Sequence, residues 1–304
     1  MDNAYDVAII GGGAAGLSAA LTLSRARRRV LVIDAGEPRN APAGHVHNYL
    51  GRENTPPGEL LSTGRAEVSS YGGEIRDDVV TAVTGAVPHF TLSMAGGGTV
   101  SARRVLVTTG LVDELPDIPG VAEHWGSRVL HCPYCHGWEV RDRPVAILAT
   151  TSMAAHQALL WRQWTPDVVL LLHTAPSPSP EELARLERRG IKLVSGEVVA
   201  YGQSGAELAD GTLVPVDALV LMSRIAARVS ALEPLGLSPV PFEANGIPLG
   251  THVPSGLGGA TSVPGVFVAG NVTDPMATVI AAAAAGVSAG GFINMDLVLE
   301  EAAG

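Results

Sequence analysis

The two cysteines of the chain, Cys132 and Cys135, are separated by a Pro-Tyr pair. Two intervening residues allow the sulfurs to meet, so the pair can alternate between a dithiol and a disulfide. His131 stands directly before this Cys-x-x-Cys segment, and His136 stands directly after it. An imidazole titrates near neutral pH and can accept a proton from a thiol, which makes both histidines candidate bases. The segment therefore predicts thiol–disulfide exchange.

The same four side chains are possible zinc ligands, which makes a metal site the main competing interpretation. Adjacent histidine and cysteine residues chelate a single ion poorly, and the remaining histidines offer no second pair at a useful spacing. We therefore predict no metal. Each histidine could instead serve only to hydrogen-bond the backbone, and the residue types alone do not decide between these roles.

A glycine-rich turn near the start of the chain predicts a dinucleotide site. Gly11, Gly13 and Gly16 follow the apolar segment 6–10 and precede an alanine-rich stretch. The first glycine permits a tight turn, the second lets the backbone approach a pyrophosphate, and the third lets helix and strand pack closely. Free amides of the helix then face the diphosphate. Asp34 ends the next apolar segment, near the spacing of roughly 20 residues at which an acid binds a ribose hydroxyl.

Composition limits the possible partners. A chain of 304 residues with 46% hydrophobic residues is expected to form about two globular domains. Its net charge of −10, without long acidic runs, argues against nucleic acid or an anionic membrane as a partner. No secretory signal is visible at the N-terminus, which favours a cytoplasmic location. The longest apolar stretch, 279–293, is shorter than the ~20 residues of a membrane span and is expected to be a buried helix.

The order of apolar segments and glycine turns predicts an α/β fold with two Rossmann-like domains. Segments that end in glycine recur at 105–110 and 263–271, as if the chain leaves the first domain and later returns to it. We therefore place residues 1–112 and 245–304 in the first domain. Residues 113–244, which carry the Cys-x-x-Cys segment, are expected to form a second domain inserted in the first.

The sequence resembles the thioredoxin reductase family of flavoproteins over almost the whole chain. The resemblance is carried by the glycine turn, by an asparagine loop at 47–51 and by the segment 265–271, where Asn271 stands in place of the aspartate typical of the family. It implies a homodimer and an FAD cofactor, and it places the first turn of a helix at the flavin. The expected FAD-binding residues are Gly11, Gly13, Ala14, Ala15, Gly16, Asp34, Ala35, Asn48, Gly110, Gly270, Asn271 and Thr278.

The resemblance also implies roles for the Cys-x-x-Cys segment. Cys135 would face and react with the flavin, and Cys132 would exchange with the substrate sulfur. Family members commonly have an aspartate directly after the second cysteine, as acid and base. His136 occupies that position here and is the favoured base, with His131 as the second candidate.

In the reductases of this family, the inserted domain binds NADPH through a second glycine motif followed by a pair of arginines. Here the glycine positions hold Ala149, Thr151 and Ala154, and the segment 170–175 after the next strand has no arginine. A β-carbon at a point of close backbone approach would push a diphosphate away. We therefore expect this loop not to bind a nicotinamide.

Since we expect no nicotinamide donor, the branch of the family that the chain resembles is that of the dithiol oxidases. These enzymes close disulfides in natural products such as gliotoxin and holomycin. The expected reaction oxidises a small-molecule dithiol, with O2 as acceptor and H2O2 as product. The alternative is a disulfide reductase that uses NADPH or another donor such as ferredoxin. A flavin-bearing sensor without turnover is a third possibility.

Overall fold

The computed structural model describes residues 4–244 and 246–303. In chain order, the strands are β1 (Ala4–Ile10), β2 (Val30–Asp34), β3 (Glu74–Asp77), β4 (Val80–Ala86), β5 (His89–Met94), β6 (Thr99–Val107), β7 (Leu111–Glu114), β8 (Val129–Leu130), β9 (Val145–Leu148), β10 (Val168–Leu171), β11 (Lys192–Val194), β12 (Val198–Gly202), β13 (Gly205–Leu208), β14 (Leu213–Val214), β15 (Ala218–Val220), β16 (Arg224–Ala227), β17 (Val240–Ala244), β18 (Ile247–His252) and β19 (Val266–Val268). The α-helices are α1 (Ala14–Arg25), α2 (Pro57–Ser70), α3 (Pro133–His136), α4 (Ala154–Trp161), α5 (Pro180–Arg188) and α6 (Val279–Ala303).

The first domain is built on a sheet in the order β3-β2-β1-β6-β5-β4, with β19 also paired to β6. β1 pairs in parallel with both β2 and β6, so it is buried on both faces and reads as a continuous apolar run. Val7 and Ile9 pack with α1 and α6, whereas Ala8 and Ile10 belong to the core on the opposite face. The carboxyl end of β1 is thereby fixed where the glycine turn begins.

Small residues bring α1 and α6 close together. A β-carbon on Gly286 of α6 would lie 2.0 Å from the Ala15 carbonyl oxygen of α1, so only glycine fits at this contact. The predicted apolar helix at 279–293 extends to Ala303. By length and composition α6 could cross a membrane, but here it packs against α1 in the core of the first domain.

The second domain contains a five-stranded parallel sheet in the order β11-β10-β9-β15-β8. Helices α4 and α5 cover one face, and the antiparallel sheet β12-β13-β14 lies on the other. Each domain therefore has parallel strands followed by helices, and the second is inserted between β6 and β19 of the first sheet. The predicted fold class of two Rossmann-like domains is confirmed.

A separate four-stranded sheet, β17-β18-β16-β7, joins the two domains. Its strands β7 and β16 pair antiparallel at the two points where the chain crosses between domains. Beyond β16, Val229, Leu232 and Leu237 pack into the core of the first sheet. This packing favours a return to the first domain earlier than the predicted boundary at 244, and the predicted boundaries stay a prediction.

Candidate active site

A cavity of about 830 Å³ opens between the glycine turn of the first domain and helix α3 of the second. All four predicted catalytic side chains line it together with most of the predicted cofactor residues. Those lining residues are His131, Cys132, Cys135, His136, Gly11, Gly13, Ala14, Ala15, Asp34, Ala35, Gly110, Gly270, Asn271 and Thr278. Two predicted cofactor residues, Gly16 and Asn48, lie outside its lining.

The three motif glycines have three different physical roles. Gly11 has a φ of +106°, and a β-carbon there would lie 2.6 Å from the Thr108 carbonyl oxygen, so this glycine permits the tight turn. A β-carbon on Gly16 would lie 1.9 Å from the Gly11 carbonyl oxygen, so this glycine serves helix–strand packing. A β-carbon on Gly13, by contrast, would meet no described atom within 4 Å and would project into open space. The protein's own packing therefore does not require glycine at this position, and the space lies open to the cavity that a ligand would occupy.

The first turn of α1 is suited to an anionic ligand. Its N-cap is Gly13, which supplies no capping side chain, so the first amides of the helix are not satisfied by a cap. The Asp34 carboxylate at the cavity accepts a hydrogen bond from the Gly12 amide (3.0 Å) and pairs with Arg65 (3.1 Å). These contacts hold the acid beside the turn, and its bond to a ribose stays a prediction.

Asn271 shows why the family's aspartate can be absent. Its Nδ2 atom donates to the carbonyl oxygens of Asp274 (3.1 Å), Pro275 (3.3 Å) and Ala277 (2.9 Å). A carboxylate could not donate to these oxygens. The amide therefore fixes the turn that leads into α6 and brings Thr278 to the cavity.

Asn48 lies at a place that the sequence did not predict. It has a φ of +57°, a left-handed conformation that asparagine tolerates better than most residues. Its Nδ2 atom donates to the Tyr134 carbonyl oxygen in the Cys-x-x-Cys helix. Asn48 thus ties a loop of the first domain to the cysteine helix of the second, and a direct contact with the cofactor stays a prediction.

The two cysteines differ in acidity. Cys132 immediately precedes α3, and its sulfur accepts hydrogen bonds from the Cys135 thiol and from the amides of Cys135 and Tyr134. Chiefly through the Cys135 thiol, these bonds lower the pKa of Cys132 to about 7. The same thiol–thiolate bond and then burial raise the pKa of Cys135. In the dithiol state, Cys132 is therefore the thiolate and Cys135 holds the proton.

Both flanking histidines are disposed to accept a proton. Burial is the main cause that lowers the pKa of His131 and of His136, so both imidazoles are neutral near pH 7. Both ring nitrogens of His136 are buried without a hydrogen-bond partner among the described residues. An unpartnered nitrogen beside Cys135 is available to that thiol or to a ligand in the cavity. The choice of His136 as the favoured base stays a prediction.

Arg39 also lines this cavity, and sequence reasoning missed it. Its guanidinium makes two bonds of 2.7 Å to Asp113, whose Oδ1 atom also accepts a hydrogen bond from Ser223 (2.6 Å). Arg39 stands in a proline-rich loop, where an arginine usually faces solvent. The sequence carries no signal that would have placed it beside the cysteines.

The corresponding loop of the second domain encloses much less space. A cavity of about 30 Å³ lies there, lined by Ala149, Thr151 and Ala154 and also by residues 176–178 and Glu182. That volume suits about one water molecule. His173 follows β10, and burial is the main cause that lowers its pKa. Its Nδ1 atom accepts a hydrogen bond from the Val198 amide (3.0 Å), so this side chain serves a backbone contact.

Among the described residues, no cluster of three or more histidine, cysteine, aspartate or glutamate side chains is arranged to hold a metal ion. The predicted absence of a metal stays a prediction. Of the tryptophans, Trp138, Trp161 and Trp164 lie outside the cavity lining. Trp161 is fully buried in the core of the second domain, and Trp164 packs edge-on against Tyr134 at 5.4 Å between ring centroids.

A dinucleotide cradle that faces a Cys-x-x-Cys pair across one cavity defines a dinucleotide-dependent disulfide oxidoreductase. Comparison with known proteins gives the family. Residues 5–286 match the pyridine nucleotide-disulphide oxidoreductase family, and the chain belongs to it. The predicted resemblance to thioredoxin reductases is confirmed, and the cofactor of this family branch is FAD. The open space at Gly13 and the uncapped first turn of α1 fit that cofactor.

Two curated relatives carry the name thioredoxin reductase. The chain is 34% identical to thioredoxin reductase tcpT of Claviceps purpurea, over 79% of each chain. It is 31% identical to thioredoxin reductase sirT of Leptosphaeria maculans, over 96% of this chain and 94% of the relative.

The fold is also similar to solved structures. The crystal structure of HlmI is 42% identical, with a TM-score of 0.92, and the match covers 100% of this chain and 95% of that one. An oxidoreductase from Agrobacterium tumefaciens is 32% identical with a TM-score of 0.92, over 98% and 99% of the two chains.

The role assigned to Gly13 predicts the effect of a single methyl group. Gly13→Ala is compatible with the backbone, since Gly13 has φ −77° and ψ −173°, but it places a β-carbon where the cofactor backbone contact is expected. We expect FAD affinity to fall at least about tenfold, with the melting temperature of the FAD-free protein unchanged. Flavin absorbance per protein during FAD titration measures this affinity.

Gly44→Ala is the matched control, because Gly44 is exposed and a β-carbon there also meets no described atom within 4 Å. This variant should bind FAD like the wild type. Unchanged FAD binding by Gly13→Ala would show that Gly13 does not border the cofactor.

Proposed function

We propose that the protein is an FAD-dependent dithiol oxidase that closes an intramolecular disulfide in a small-molecule dithiol and uses O2 as electron acceptor. The observation that carries the proposal is the contrast between the two nucleotide loops. One opens on the cavity of about 830 Å³ that also contains the cysteines, whereas the other borders about 30 Å³. Electrons therefore have a route between the cysteines and FAD, but the second domain offers little room for a nicotinamide donor.

Cys132 and Cys135 are sufficient for the thiol–disulfide exchange with the substrate. A substrate thiolate attacks Cys132, the Cys132–Cys135 bond breaks, and Cys135 takes the electron pair. The second substrate thiolate then attacks the substrate sulfur joined to Cys132, which closes the substrate disulfide and releases Cys132 as a thiolate. The pKa of about 7 suits Cys132 to this role, because a less basic thiol leaves faster.

The two protons of the substrate pass to bases and solvent. The raised pKa of Cys135 means that its thiol must lose a proton before its sulfur can donate electrons. His136 is the proposed base that accepts this proton. FAD, held by the glycine turn and the first turn of α1, would supply the two-electron acceptor for the Cys132–Cys135 dithiol and would allow two electrons and two protons to reach O2. The products are the substrate disulfide and H2O2.

The surface near the cysteines favours an apolar substrate. Tyr134 and Trp138, within and just after the cysteine helix, are 60% and 66% exposed. Met276 lines the cavity and is also largely exposed. Exposed apolar side chains beside a reactive pair are typical of a binding surface for a small apolar molecule.

The alternative function is a disulfide reductase that uses NADPH or another donor such as ferredoxin. It is favoured by the names of tcpT and sirT, which are called thioredoxin reductases. The absence of glycine at positions 149, 151 and 154 and of arginine in the segment 170–175 weighs against NADPH. A cytoplasmic location stays a prediction.

The two functions predict opposite responses of the holoenzyme. Under anaerobic conditions, a dithiol such as dithiothreitol should bleach the flavin band near about 450 nm, and NADPH should not. Admission of O2 should restore the band, and continued turnover should yield one H2O2 per disulfide formed. Bleaching by NADPH at a catalytic rate would overturn the oxidase, and no bleaching by either would indicate a protein without turnover. Cys132→Ser is the control that should abolish turnover.

The proposed base can be tested through its pH dependence. His136→Asn should slow flavin reduction by dithiol about 100-fold at neutral pH, because the buried Cys135 thiol loses its proton acceptor. The deficit should shrink as pH rises and solvent removes the proton. Stopped-flow absorbance measures the rate.

His156→Asn, a change at an exposed histidine of α4, should leave the rate unchanged. The same substitution at His131 should have a smaller effect than at His136. If only the His131 variant is slow, His131 is the base instead.

We also propose that the active form is a homodimer joined through α6. Exposed apolar side chains follow one side of this helix, including Met295 at 60% and Leu299 at 63% exposure. Met295→Glu should convert the dimer to a monomer of 31.3 kDa, as measured by light scattering. Leu213→Glu, on the exposed strand β14, is the matched control and should stay dimeric. A wild-type monomer would contradict this proposal.

A further inference from the structure

Arg39 is a charged residue of the cavity that the exchange steps above do not use. It lies in the loop between β2 and α2 of the first domain, yet it lines the same cavity as His131 and Cys132 of the second. The loop therefore delivers a permanent positive charge across the domain boundary to the reacting sulfurs. Arginine keeps this charge at every pH of interest.

The position of this charge is fixed by both chain crossings. Arg39 binds Asp113 through two bonds of 2.7 Å, and Asp113 lies on β7, where the chain leaves the first domain. Ser223, directly before β16 on the return crossing, donates to the same carboxylate at 2.6 Å. The Asp113 side chain is only 7% exposed. A bidentate pair with a buried carboxylate holds a guanidinium in one place far better than an exposed pair does.

The positive charge of Arg39 lowers the pKa values of both Cys132 and His131. It lowers the pKa of Cys132, in addition to the larger effect of the hydrogen bond from Cys135. After burial, it is also the next cause that lowers the pKa of His131. A cation favours a thiolate and disfavours a second cation, so one residue promotes both the anionic sulfur and the neutral imidazole.

We propose that Arg39 is a positioning residue for the dithiol reaction, held by Asp113 and Ser223 so that its guanidinium stabilises the Cys132 thiolate. This inference deepens the proposed function, because it concerns the sulfur that exchanges with substrate. It applies to the dithiol state whichever direction electrons flow. The other charged or titratable groups that influence the pKa values of Cys132 and the two flanking histidines are Asp113, His131, Cys135, His136, Glu139 and His47.

The thiolate can be measured without any turnover. Holoenzyme is reduced with dithiothreitol, freed of reductant under anaerobic conditions and pulsed with iodoacetamide between about pH 5.5 and 9. Mass spectrometry then gives the rate of alkylation at Cys132. The wild-type rate should rise with a midpoint near pH 7.

Removal of the cation should shift this profile to higher pH. Arg39→Met should slow alkylation of Cys132 at pH 7 by about 5- to 10-fold, and Arg39→Lys, which keeps the charge but loses the bidentate pair with Asp113, should give a rate between those of Arg39→Met and the wild type. Arg52→Met is the control, because it removes the same charge from an exposed residue of the same loop, and its profile should be unchanged. Flavin content and melting temperature establish that each variant is folded.

A double variant separates the cation from its buried partner. Arg39→Met leaves Asp113 as an unpaired carboxylate, whereas Arg39→Met with Asp113→Asn removes both charges and should still alkylate slowly. A wild-type profile in the double variant, with normal flavin content, would overturn the proposal. Because the assay needs neither O2 nor NADPH, that result would leave the oxidase function standing, and reduction by NADPH would leave the role of Arg39 standing.

Discussion

The active site depends on contact between two domains that contribute different halves of it. The first domain supplies the dinucleotide cradle, and the second supplies the cysteines. The hydrogen bond from Asn48 to the Tyr134 carbonyl and the pair between His47 and Glu139 (3.5 Å) hold a loop of the first domain against the cysteine segment. Arg39 and Asp113 add a second tie at the chain crossings. This docking places the cysteines on the same cavity as the dinucleotide cradle.

The same docking explains how acidity is distributed in the site. Hydrogen bonds at the start of the cysteine helix lower the pKa of Cys132 and raise the pKa of Cys135. Cys132 is therefore the anion, and Cys135 keeps the proton. Burial between the domains then keeps both flanking histidines neutral. A neutral imidazole can accept a proton, which is the property that the proposed role of His136 requires.

Much of the site could be predicted from sequence because its signals are local. The glycine roles follow from spacing within one strand–turn–helix unit, and the structure places Gly11 and Gly16 in the contacts expected of them. The Cys-x-x-Cys pair and its histidines were likewise recognisable from adjacent residues. Arg39 and the contact made by Asn48 could not be predicted, because their partners lie 74 and 86 positions away in the chain. No periodicity or motif encodes such pairs, since they exist only once the second domain has docked.

The effect of a residue that departs from the family pattern depends on the atoms around it. At Asn271 the expected acid is missing, yet the amide donates to carbonyl oxygens at distances down to 2.9 Å and so supports the turn beside the cofactor cavity. At Thr151 a glycine is missing, and residues 176–178 and Glu182 line the small cavity beside it. Asn271 adds a hydrogen-bond donor where three carbonyl oxygens converge. Thr151 adds a side chain where a diphosphate would have to approach the backbone. Two departures in one chain thus have opposite consequences, which is why we infer that the first loop keeps its ligand and the second has lost it.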